Sequence, residues 1–144
     1  MAHEDAGHYG AKHSGEKIDT AIADEIHEKE KDGRISCAAA HRIAQKKGCS
    51  PKMVGMNIDL LEKRIYRCQL GLFGHGTKKG KAVDPSPVVA PVLKKAIADA
   101  MDGDRISCEA AWAVANRLKL AKIEVSNACE TLKIKICHCQ LGAF

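Results

Sequence analysis

The sequence predicts a mainly α protein with a small amount of β structure, built as two tandem copies of one helix-strand-helix-helix-strand unit. The first observation is an internal repeat. Arg34-Ile35-Ser36-Cys37 returns as Arg105-Ile106-Ser107-Cys108, and Cys68-Gln69-Leu70-Gly71 returns as Cys139-Gln140-Leu141-Gly142, both at an offset of 71 residues. The second is the extent of that repeat: 15 of the 40 positions from 34 to 73 are identical at this offset, where chance would supply about two or three. The third is composition. With 144 residues and only 3% aromatic residues, each copy must close its core with Ala, Ile, Leu and Val, which suits short, closely packed helices.

The offset divides the chain into a flexible His-containing tail (1–17), a first repeat (18–73), a basic Gly/Pro loop and linker (74–88) and a second repeat (89–144). In the first repeat, Ile18, Ile22 and Ile26 recur at helical spacing, matched by Val89, Leu93 and Ile97, and predict a helix over 18–31 that stops at Asp32-Gly33. Arg34-Ile35 is a short extended piece. Ser36 is placed to cap a second helix from Cys37 to Lys47, which Gly48 ends. Ser50 followed by Pro51 repeats the start signal for a third helix reaching Leu61, with Val54, Ile58 and Leu61 inward. Alternation over residues 64–70 predicts a strand, with Ile65, Arg67 and Gln69 on one face and Tyr66, Cys68 and Leu70 on the other.

This element order resembles the winged helix-turn-helix superfamily. Ala44 stands where that motif needs a small residue at the helix crossing, Gly48 where its turn needs a left-handed backbone, and Val54 and Ile58 where its third helix buries. The second copy has Ala115, Val125 and Cys129 at three of these places but Lys119 in place of the glycine, an unfavourable residue for positive φ. The resemblance implies two winged-helix-like repeats, packed together or paired with a second copy of the chain. It also implies a DNA-binding, transcription-regulating role. A wing in the first copy would be a basic hairpin over residues 73–83, with Lys78, Lys79 and Lys81 at its tip.

A helix-turn-helix reads DNA with the outward face of its third helix. Candidate contacts to double-stranded DNA are therefore Ser50, Lys52, Met56, Asn57 and Lys63 with the three loop lysines, and Lys122 and Asn127 in the second copy. Asp59 and Glu130 sit on the same faces, and an acid there repels phosphate. The two faces also differ: Lys52, Met53 and Met56 correspond to Ile123, Glu124 and Asn127. An alternative is a protein-interaction module, with Met53, Met56 and Leu60 as an adaptable apolar patch and Trp112 as a second contact. A third is thiol or metal chemistry: on a continued strand Cys137 and Cys139 would share a face, with Cys108 as a further ligand. The plainer reading of Cys37, Cys68, Cys108 and Cys139 is core. His3, His8 and His13 recur at steps of five in the tail.

Net charge is +5, compatible with a polyanionic partner without requiring one. No apolar run long enough to cross a membrane and no signal-peptide pattern occurs, so a cytoplasmic location is expected. No phosphate-binding glycine loop, zinc-protease motif or nucleophile elbow is present, so neither catalysis nor a cofactor is expected.

Overall fold

A computed structural model describes residues 9–76 and 80–144. These residues hold six α-helices and four three-residue strands, divided between two units: residues up to Cys68 together with Gln140–Phe144, and Gln69–Cys139.

In the first unit, α1 (Thr20–Lys29) starts where the Asp19 carboxylate accepts from the N–H groups of Ala21 and Ile22 at 3.0 and 3.1 Å. That cap satisfies two of the donors a helix start leaves open. It also leaves Ile18 outside the helix and 42% exposed, so the apolar stripe expected from residue 18 begins at Ile22. Asp32 and Gly33 both take positive φ and turn the chain into β1 (Arg34–Ser36).

Ser36 Oγ accepts from Ala39 N–H at 3.1 Å and opens α2 (Cys37–Lys47). Gly48 closes it at φ 65°, ψ 30°, and Cys49 N–H returns to Ala44 O at 3.1 Å. Ser50 Oγ accepts from Met53 N–H at 3.1 Å at the head of α3 (Pro51–Leu60), with Pro51 in its first turn.

The strand expected over 64–70 is shorter. β2 (Arg64–Tyr66) pairs parallel to β1 in the register Arg34↔Arg64, Ile35↔Ile65, Ser36↔Tyr66. Two helices lie between the strands, the kind of crossover a parallel pair requires. Arg67 then takes φ 53°, a left-handed conformation that ends the alternation.

The core of this unit is Ile22 and Ile26 from α1, Ile35 from β1, Ala40, Ile43 and Ala44 from α2, and Val54 and Ile58 from α3. Alanines on α2 allow the close helix approach that the scarcity of aromatic rings demands. The C-terminal segment completes the unit. A Cβ on Gly55 of α3 would fall 1.8 Å from the Leu141 carbonyl oxygen, and Leu141 itself is buried.

The second unit repeats the order with α4 (Pro91–Ala100), β3 (Arg105–Ser107), α5 (Cys108–Leu118), α6 (Lys122–Leu132) and β4 (Lys135–Cys137). β3 and β4 pair parallel in the equivalent register. Ser107 Oγ caps α5 through Ala110 N–H at 3.1 Å. Lys119 takes φ 58°, the conformation Gly48 supplies in the first copy, so the geometry is kept without the glycine. Ala121 carries no capping side chain; the Glu124 carboxylate accepts from its N–H at 2.7 Å instead. His138 at φ 52° ends the second strand as Arg67 ends the first. The expectation that Cys137 and Cys139 lie two apart on a continuous strand is thereby corrected: β4 stops at Cys137.

Among the described residues, no helix is long and apolar enough to cross a membrane.

Candidate nucleic-acid interface

Val54 and Ile58 are fully buried, so α3 has the rotation its apolar spacing predicts. Its opposite face is nonetheless covered. Residues Tyr9–His13, expected as part of a flexible tail, form a 3-10 helix on α3. The N–H groups of Tyr9 and Gly10 each donate to the Glu62 carboxylate at 2.9 Å. Asp59 Oδ2 lies 2.8 Å from His13 Nε2 and 3.1 Å from Lys12 Nζ. The acid that would repel phosphate on a reading helix is instead buried under a cationic cover.

Several residues expected to touch DNA are committed elsewhere. Asn57 is fully buried; its Oδ1 accepts from Asp19 N–H at 2.7 Å and its Nδ2 donates to Met53 O at 2.9 Å. It fixes the chain entering α1. Asn127 does comparable work in the second unit, where its Oδ1 accepts from Asp84 N–H at 2.8 Å and its carbonyl from Ser86 N–H at 3.4 Å. The segment before the first helix of each repeat thus lies against the third helix. Lys63 is paired with Glu30 at 2.9 Å, Ser50 is used as a cap, and Met56 is half-buried. The Lys122 ammonium sits over the Trp112 ring, 4.5 Å from its centroid. Lys52 remains exposed as expected.

The basic hairpin over residues 73–83 is not present in its described part, which holds no strand. Two backbone hydrogen bonds close this loop, from His75 N–H to Gly80 O at 3.0 Å and from Ala82 N–H to Gly71 O at 2.8 Å. Lys81 is exposed, while Lys78 and Lys79 lie outside the described residues, as do His3 and His8.

The apolar patch is largely closed as well: Met53 is 41% exposed, whereas Met56 and Leu60 are half-buried. No group of three His, Cys, Asp or Glu side chains among the described residues is placed to hold a metal ion. Cys108 is buried in the first turn of α5, and Cys137 and Cys139 are half-buried on either side of the His138 turn.

A different surface gathers charge. Parallel register places Arg34 beside Arg64 and Ser36 beside Tyr66 on the outward face of the β1/β2 pair. The Arg34 guanidinium lies 4.6 Å from the centroid of the Tyr66 ring, and that of Arg67, turned back by its positive φ, lies 5.2 Å from the same centroid. Arg34, Arg64 and Arg67 are all exposed. None of the three makes an ion pair with a described residue. Each stacked guanidinium gains about 0.5–1 kcal/mol from the ring face at an exposed site and keeps its N–H edge free for an oxyanion.

The second unit carries a weaker version. Arg105, Lys135 and His138 occupy the three basic positions, Cys137 replaces the tyrosine, and Arg105 is 3.7 Å from Asp104. The sequence did hold a signal for this face. Most identical positions shared by the repeats are buried or conformational, yet Arg34 and Arg105 are identical and exposed.

Comparison with protein-family models, curated proteins and solved structures gives no match, so the reading of this surface rests on its own chemistry.

Proposed function

We propose that the chain is a non-enzymatic nucleic-acid-binding protein, built on helix-turn-helix-related repeats, that grips the backbone of double-stranded DNA with the strand face of its first unit. The observation that carries this reading is the set of three guanidinium groups, Arg34, Arg64 and Arg67, arranged at Tyr66 with no acidic partner among the described residues. Like charges held together raise the local positive potential, and a phosphate chain relieves it. Arginine suits the role because its planar fork meets two phosphate oxygens at once.

Binding of this kind positions the protein without reading sequence, since it rests on phosphate contacts rather than on contacts to base edges. Three phosphate contacts would give a log–log salt slope of about −2.7, so affinity falls about 40-fold from 50 to 200 mM salt. Fluorescence anisotropy of a labelled random-sequence duplex tests this. Wild type binds at low salt, the triple variant R34A/R64A/R67A loses binding and K52A retains it. Absence of wild-type binding at low salt, or equal binding by the triple variant, refutes the reading.

A further inference from the structure

Between α1 and α2 of the first unit lies an open cleft of about 500 Å3. Its charged lining is Glu25 and Lys29 from α1 and Arg42 and Lys46 from α2, over a floor that includes Ala39 and Ile43. Glu25 is buried and its Oε1 accepts from Lys46 Nζ at 2.7 Å. Lys29 and Arg42 are exposed and make no ion pair with a described residue. Three lining cations stand against one carboxylate, and Lys47 adds a fourth cation 3.8 Å from the same carboxylate oxygen, so the cleft carries positive charge in excess.

The second repeat supplies an internal control for what these charges do. At the offset of 71 residues, Glu25, Lys29 and Arg42 correspond to Ala96, Ala100 and Ala113. The equivalent helices α4 and α5 pack with alanine at all three places. The fold therefore does not need these side chains. The restriction of this charged cluster to one of the two copies points to a ligand rather than to architecture.

We propose that this cleft binds a small phosphate monoester, with the dianion held by Arg42 and Lys29 and the organic remainder resting on Ala39 and Ile43. Lys29 and Arg42, the two lining cations not paired to Glu25, supply the positive charge a phosphate dianion needs. The arginine offers a bidentate fork and the lysine a point charge, and the cleft volume lies in the range of small-molecule sites. Glu25, fixed by Lys46, keeps Oε2 for a hydroxyl of the ligand. This site shares no residue with the Arg34–Arg64–Arg67 face.

Titration of the full chain with ribose 5-phosphate, followed by isothermal calorimetry and amide chemical shifts, tests the proposal. Saturable binding with shifts on α1 and α2 is expected, weakened at least tenfold in R42A and absent for ribose. R42A reproduces the residue the second repeat already carries, and thermal unfolding checks that it folds. The variant R34A/R64A/R67A is expected to bind ribose 5-phosphate as wild type does, which separates this site from the DNA reading. Absence of saturable binding, unchanged binding in R42A, or inorganic phosphate binding as tightly as the ester would each overturn it. So would duplex DNA competing for the cleft with R42A losing DNA affinity, because the phosphate recognised would then be that of the nucleic acid.

Discussion

His13 Nε2 lies 2.8 Å from Asp59 Oδ2, and this contact joins a 3-10 helix near the start of the chain to the face of α3 that a helix-turn-helix would present to DNA. Lys12 shares the same carboxylate oxygen at 3.1 Å. Hydrogen bonds to a charged group contribute about 1.5–3 kcal/mol. Asp59→Ala is therefore expected to lower stability by about that amount and to speed hydrogen exchange at residues 9–13 selectively. Unchanged exchange there would show that the Glu62 contacts alone hold the segment.

Gly55 is needed because of its neighbour rather than its φ. A methyl group at this position would meet the Leu141 carbonyl at 1.8 Å, and backbone cannot yield as a side-chain tip can. Gly55→Ala is expected to cost about 1–3 kcal/mol, the usual penalty of overpacking, read as a lowered unfolding midpoint in urea. Ser126→Ala, at the equivalent position of the second unit, should cost less, since that site already holds a side chain.

The Glu25–Lys46 pair gives stability a defined pH dependence. Its hydrogen bond to Lys46 holds the Glu25 carboxyl below its ordinary value of 4.5, and the same bond raises Lys46 above 10.5. A depressed acid stabilises fully above its unfolded value and loses that contribution as pH falls through its folded one. A raised base stabilises below its unfolded value and loses the contribution as pH rises through its folded one. Glu25→Gln should thus lower the melting temperature by a constant amount between pH 4.5 and 10.5, with the deficit shrinking at both extremes. A deficit independent of pH would contradict the pair.

Burial, followed by the nearby Glu130 charge, pushes the Cys129 thiol up to about 11. Thiolate is the reactive form. At pH 8 in the native state, iodoacetamide should modify Cys49 well before Cys129, and peptide mass mapping reads the order directly. Early labelling of Cys129 would show that α6 opens readily.

The repeat, the α2 boundaries and the serine caps at Ser36, Ser50 and Ser107 were legible because each rests on local chemistry: identity at a fixed offset, a hydroxyl before a helix, a glycine after it. The inward faces of α2 and α3 were legible for the same reason, through apolar spacing. The cover on α3 was not, because Tyr9 and Gly10 are anchored to Glu62 across more than fifty residues by backbone donors that leave no periodic trace. Its one sequence signal was acidic: Asp59, on a face expected to meet phosphate. The arginine cluster was hidden by the positive φ of Arg67. Continued alternation would have sent that side chain to the other face, away from Tyr66.

The central claim is that DNA meets the β1/β2 face of the first unit and not α3. Backbone amide shifts of the isotope-labelled chain, followed as a short random-sequence duplex is added at low salt, test it most directly. The account predicts that the largest changes fall on Arg34–Ser36 and Arg64–Tyr66 and on Arg67, with residues 9–13 still protected on α3. Changes centred instead on Lys52, Met53 and Met56, with release of residues 9–13, would contradict it and return the reading role to the third helix.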